Sequence, residues 1–156
     1  MAFRTLLLLF AFGLLSLSSH SQNVLIENGI TPGLRMGSSY SNWYSFSARK
    51  NFRGGSAEVI LTPAKDRFVV TGLYGLQFPL DIDIDGFSYF YGVGGHVGIQ
   101  GNAAPIIGVD AIAGIEYDIP SIPILVSLDF KPGFDVVSNS VGFLWGQGGV
   151  TVRYVF

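Results

Sequence analysis

The chain has 156 residues, of which 49% are hydrophobic, 14% aromatic and only 13% charged, with a net charge of -2 at pH 7. That length points to one domain, the near-neutral charge offers no basic face for nucleic acid, and the absence of cysteine excludes disulfides and thiolate sites. An ordinary soluble domain carries roughly 25% charged residues, so a surface this poor in ions is expected to meet something apolar.

Residues 1–21, MAFRTLLLLFAFGLLSLSSHS, have the layout of a secretory signal peptide. Arg4 supplies the positive start, Leu6 to Leu15 is apolar except for Gly13, and Ser19-His20-Ser21 sets cleavage before Gln22. The apolar run is short of the ~20 residues a spanning helix needs, and no cysteine follows it to carry a lipid anchor. A short periplasmic N-terminal segment, 22–29, then leads into a domain over 30–156. That domain holds no run of about 18 apolar residues, so a helical span is excluded and a closed β-barrel is the one remaining way through a bilayer.

Alternation with a period of two runs through the domain, as half-buried strands require. In ITPGLRMGSSY, Ile30, Leu34, Met36 and Tyr40 oppose Thr31, Gly33, Arg35 and Gly37. In WYSFSARKNF, Tyr44, Phe46, Ala48 and Phe52 oppose Ser45, Ser47, Arg49 and Asn51; Lys50 interrupts the apolar side, as a snorkelling residue near an interface would. SAEVILTP sets Ala57, Val59 and Leu61 against Glu58 and Thr62. RFVVTGLYGLQFPL sets Phe68, Val70, Tyr74, Leu76, Phe78 and Leu80 against Arg67, Thr71, Gly75 and Gln77. In FSYFYGVGGHVGIQ, Phe87, Tyr89, Tyr91, Val93, Val97 and Ile99 oppose Ser88, Gly92, Gly94, His96, Gly98 and Gln100, with Phe90 on the polar side.

IGVDAIAGIEYDI repeats the rule: Ile107, Val109, Ala111, Ala113, Ile115, Tyr117 and Ile119 oppose Gly108, Asp110, Gly114, Glu116 and Asp118, with Ile112 the exception. ILVSLDFKPGFD reads as one strand, with Ile124, Val126, Leu128, Phe130, Pro132 and Phe134 apolar against Leu125, Ser127, Asp129, Lys131, Gly133 and Asp135. The last strand, GGVTVRYVF, sets Val150, Val152, Tyr154 and Phe156 against Thr151 and Arg153. Turn-like pieces fall at Ser41-Asn42, Arg53-Gly54-Gly55, Lys65-Asp66, 81–86, Gly101-Asn102, Pro120 to Pro123, and a longer stretch over 137–145. The expectation is all-β: an eight-stranded antiparallel up-and-down transmembrane β-barrel.

Alternation alone does not separate this from a soluble, lipocalin-like binding barrel, which keeps its apolar face inside. The residue types on the polar face decide. It carries Arg35, Arg49, Glu58, Arg67, His96, Asp110, Glu116, Asp118, Asp129, Lys131, Asp135 and Arg153, interspersed with Gly33, Gly37, Gly75, Gly92, Gly94, Gly98, Gly108, Gly114 and Gly133. Mixed charges that can pair, set among residues without side chains, suit a narrow lumen. They do not suit a wall in water. Aromatics gather near the segment ends, at Tyr40, Trp43, Tyr44, Phe78, Phe87, Tyr89, Tyr117, Trp145, Tyr154 and Phe156, as interfacial girdles do.

The ending VTVRYVF resembles the C-terminal signal of bacterial outer-membrane β-barrels. GLRMGSSYS, VTGLYGLQ, FYGVGGHVG, GIEYDIP and VSLDFKPGF are similar to stretches of small outer-membrane barrel proteins common in the Bacteroidetes. That resemblance implies an outer-membrane location, with lipid as neighbour. It also implies barrel-assembly machinery and periplasmic chaperones as partners in biogenesis, with Val150, Val152, Tyr154 and Phe156 as the assembly signal.

Little in the domain looks chemical. His96, the one histidine left after cleavage, faces inward among glycines within reach of Asp110, which reads as a lumen network; a lipid-modifying enzyme would need a base and nucleophile there. DIDIDG lacks the glutamate of a calcium loop, and no helix follows YGVGGHVG to make a phosphate site. No metal, cofactor or catalytic set is expected, and eight strands leave no wide pore. The expected role is structural, or a small interaction role, in the envelope, as a monomer. Phe143, Leu144 and Trp145 mark the best outside contact.

Overall fold

The computed structural model describes residues 29–39, 42–52, 55–82, 84–137 and 142–156. The expected signal peptide and almost all of segment 22–29 lie outside the described residues, as does Tyr40. Ten strand segments are formed: β1 Ile30–Ser39, β2 Asn42–Phe52, β3 Gly55–Pro63, β4 Arg67–Pro79, β5 Phe87–Gln100, β6 Ala104–Asp118, β7 Ile124–Phe130, β8 Gly133–Val137, β9 Gly142–Leu144 and β10 Gly148–Tyr154. β1 to β6 pair antiparallel in chain order, β6 pairs with both β7 and β8, β8 pairs with β9, β7 pairs with β10, and β10 returns to β1, with Arg153 opposite Gly33 and Val150 opposite Met36. The sheet therefore closes on itself.

The ten segments make eight staves. β6 runs against β7 and β8 in one register, since Ala113 faces Phe130 and Asp110 faces Gly133. The expected single strand over 124–135 is thus one stave divided at Lys131-Pro132. Pro132 cannot donate to the ladder, and proline inside a sheet is confined to such defects. Across from it the eighth stave, β9 with β10, carries one extra residue. Leu144 pairs with Gly133 and Gly148 with Phe130, which leaves Trp145, Gly146 and Gln147 facing two residues. This is a β-bulge. Within the expected loop over 137–145, Val137 ends β8 and Gly142–Leu144 is strand, while 138–141 lie outside the described residues. Asn42 and Gly55, read as turn residues, likewise belong to β2 and β3.

The alternation resolves into an inner and an outer side. Among charged residues in the described strands, only Lys50 stands on the outer wall. The rest of that wall is aliphatic and aromatic, with Leu34, Val59, Val93, Val109 and Leu128 all exposed. Aromatic rings gather toward its ends. Phe78 stacks on Tyr89 and Tyr91 at 5.3 and 5.7 Å, and Phe87 meets Tyr117 at 4.5 Å, near the end that holds the 80–86 and 119–123 turns. Tyr44 with Phe46, and Phe143 with Trp145, lie toward the other end.

The lumen is filled. Ile60, Leu73, Phe90 and Ile112 pack together from four adjacent staves, and Val69 packs with Ile106 beneath Leu144. These aliphatics share the parity of the charged face. Sequence alternation had marked only Phe90 and Ile112.

The β5–β6 hairpin closes through Asn102 and Ala103, at φ 49° and 60°, with Ala104 N–H donating to Gly101 C=O. Two consecutive positive φ values define the mirror-image turn that matches strand twist. Asparagine tolerates that region; alanine does not. Ala103→Gly is expected to stabilise the barrel by about 1 kcal/mol, read as a higher midpoint in urea unfolding, whereas Asn102→Ala should lower it.

Candidate functional site

The densest chemistry lies inside the barrel, in two groups of buried ions. The first uses Arg49 from β2, Glu58 from β3, Glu116 from β6 and Arg153 from β10. Arg49 donates from Nε and Nη2 to Glu58 Oε2 at 3.1 and 2.9 Å, and from Nη1 to Glu116 Oε1. Arg153 donates from Nη2 to Glu58 Oε1 and from Nη1 to Ser127 Oγ, both at 2.6 Å. Gln77 completes the shell, donating to Glu116 Oε2 at 2.8 Å and to Ser88 at 2.9 Å. The Arg49 guanidinium also lies 4.9 Å from the centre of the Phe90 ring, a cation–π contact that joins this group to the aliphatic cluster. Two arginines face two glutamates, so the group is neutral.

The second group sits nearer the opposite end. Arg35 grips Asp129 with two bonds, Nε to Oδ2 at 3.1 Å and Nη2 to Oδ1 at 2.6 Å. Lys131 Nζ donates to Asp110 Oδ1 at 2.7 Å. His96 is held between carboxylates, with Nδ1 2.7 Å from Asp110 Oδ2 and Nε2 2.9 Å from Asp135 Oδ1. A carboxylate oxygen only accepts, so this geometry asks an N–H of both ring nitrogens. Arg35, Lys131 and His96 thus stand against Asp110, Asp129 and Asp135. Burial without such balance would be costly, because ions leaving water lose their solvation.

Glycine makes this packing possible. A Cβ on Gly133 would lie 2.7 Å from Asp110 Oδ1, and one on Gly108 would strike the His96 ring. At these two inner-face glycines a neighbouring ionisable side chain takes the volume a side chain would need.

Two residues expected in the lumen network stand apart from it. Arg67 is half-buried at the rim, where it lines a separate recess of ≈ 350 Å³ with Asp66, Gln100 and Asn102. Asp118 is half-buried at the far end of β6, its backbone N–H bonded to Gly86. Both have inward parity, but each lies at the end of its stave, where the lumen opens. Sequence reasoning missed Gln77, Ser88 and Ser127 as partners of the ions. Parity was the available signal, since all three share the inner side. At the C-terminus, Val150 and Val152 lie exposed on the outer wall, and Tyr154 closes β10. Phe156 falls beyond the strand, its ring 4.8 Å from that of Tyr154.

Chemically, the lumen is a set of paired ions in which buried Arg153 Nε is left without a hydrogen-bond partner. His96 is 2% exposed and both ring nitrogens lie within hydrogen-bond distance of carboxylates. Among the described residues, no group of three His, Asp or Glu side chains is placed to hold a metal ion. The fold and its interior define a class: a closed eight-stranded antiparallel β-barrel with an apolar exterior and an ion-paired, filled lumen. No protein-family model, curated protein or solved structure matches the chain.

Proposed function

We propose that this chain is an exported outer-membrane β-barrel protein with a structural or small interaction role in the cell envelope, akin to the small Bacteroidetes barrels that its sequence resembles. One observation carries the reading. Among the described residues, charge in the strands is confined to the inner side apart from Lys50, while the outer wall is otherwise largely apolar and carries aromatics near its ends. In water that wall would be an exposed apolar patch far larger than soluble proteins carry. In a bilayer it is the expected surface. Staves such as β5 and β6, at 14 and 15 residues, exceed the ~10 residues a tilted strand needs to cross.

The filled lumen supports a protein without a wide pore, and the clamped His96 supports a structural rather than lipid-modifying role. Its neighbours would be membrane lipid, with assembly machinery reading Val150, Val152, Tyr154 and Phe156 during biogenesis, and it would stand as a monomer. The test is flotation. Protein folded into phospholipid vesicles is expected to float with them, to resist carbonate extraction, and to migrate faster on a gel unheated than boiled. Release into the aqueous fraction without detergent would sink the reading.

A further inference from the structure

Inward-facing cations in this barrel end on carboxylates: Arg35 on Asp129, Arg49 on Glu58 and Glu116, Lys131 on Asp110, and Arg153 on Glu58. Arg67 is the exception. It is half-buried and of inward parity, yet among the described residues its side chain makes no ion pair and no hydrogen bond. One layer below, Val69 packs with Ile106 and fills the lumen, which separates the guanidinium from Asp110 and Asp135 further down. Arg67 instead lines the rim recess of ≈ 350 Å³. The walls of that recess are the turns over 64–66 and 101–103, tied together by Gly101 N–H donating to Asp66 C=O at 2.8 Å. Arg67, Gln100 and Asn102 give it a polar side, and the outward, exposed Phe68 and Ile99 give it an apolar one.

We propose that this recess binds the phosphate group of a membrane lipid, an inference that rests on the membrane reading above. The cation asks for an anion, and a guanidinium matches the oxygens of a phosphate with two parallel donors. The carboxamides of Gln100 and Asn102 add N–H donors beside it. Asp66 also lines the recess, but it is exposed, makes no salt bridge with Arg67, and has Lys65 beside it in the same turn to offset its charge. The apolar side selects the source of the phosphate. Phe68 and Ile99 continue the outer wall downward from the rim, so the carbon part of a phosphate ester has a surface to lie on. An inorganic phosphate would use only the polar half. The ends of β4 and β5 also place the recess at the depth where headgroups lie, since Arg67 opens one strand and Gln100 closes the other.

The site is tested on the full barrel in vesicles of dioleoylphosphatidylcholine mixed with dioleoylphosphatidylglycerol, floated, transferred to micelles and examined by native mass spectrometry. The expected result is phosphatidylglycerol retained on the barrel in preference to phosphatidylcholine. Arg67→Gln is expected to lower that retention about fivefold, the effect of one basic residue on an anionic lipid. Lys65→Gln removes the same charge two residues away, outside the recess, and should leave retention as in wild type. Gln100→Met, a milder change, should lower it in the same direction as Arg67→Gln, and heat-modified migration verifies that each variant is folded. Inorganic phosphate added in excess, against chloride at equal ionic strength, should not displace the lipid; displacement would assign the recess to a free anion and overturn the lipid site. A floated wild type that shows no preference for phosphatidylglycerol, or folded Arg67→Gln and Lys65→Gln variants that behave alike, would also overturn the site and leave the membrane reading standing. A wild type that fails to float overturns both.

Discussion

Arg49→Met is expected to lower the free energy of unfolding by about 3–5 kcal/mol, the usual cost of removing one partner from a buried ion group. Arg49 is 3% exposed, makes three donor bonds to Glu58 and Glu116, and rests on Phe90. Its loss leaves two buried glutamates facing Arg153 alone. Arg49→Lys should recover only part of the loss, because an ammonium cannot reproduce the planar fork that spans two carboxylates. The double variant Arg49→Met with Glu116→Gln should be more stable than Arg49→Met by itself, since neutralising Glu116 removes the surplus negative charge. Lys50→Met, one residue away but on the outer wall, should change stability by no more than about 0.5 kcal/mol. Urea titrations in detergent, followed by gel migration and tryptophan fluorescence, measure all four. Equal stability of wild type and Arg49→Met would show that the lumen ions do not hold the barrel together.

Leu128→Arg tests the other side of the wall. Leu128 is 55% exposed in the middle of the seventh stave, between Ile115 and Val150. If hydrocarbon surrounds it, the substitution costs about 2–4 kcal/mol in vesicles, while Ile99→Arg, one residue from the end of β5, costs about 0–1 kcal/mol because its head reaches the interface. If water surrounds the wall, both substitutions should be near neutral. Folding yield into vesicles and the urea midpoint distinguish these outcomes, and equal effects at the two positions would count against a membrane setting. The comparison is internal: each variant adds one arginine to the same outer surface, and only depth differs.

Most of the architecture was legible because the strand signal is local. A period of two can be counted within ten residues, and Arg35, Arg49, Asp110 and Glu116 each announce their side by their apolar neighbours. The same count failed at Lys131-Pro132, where parity continues unbroken through a division that depends on a missing N–H. It failed again at Gly142–Leu144, a strand inside the stretch where glycine and serine suggested a loop. There the outcome followed from the partner stave: β8 offers β9 a ladder at Gly133, Phe134 and Asp135. Arg67 and Asp118 illustrate a third limit. Parity tells which way a side chain faces, not how deep along the stave it lies.

By itself, then, the amino-acid order determined the strand count, the meander, and which side of each strand holds the ions, since all of these follow from spacing along the chain. Which ion meets which was decided only when the barrel closed. Arg35 finds Asp129 across 94 residues and Arg153 finds Glu58 across 95, and no pattern in the sequence links them. Closure brings β1 against β10, lays the staves around a narrow interior, and leaves each buried charge the few opposite charges within reach; pairing follows because a solitary ion there would lose its solvation without compensation.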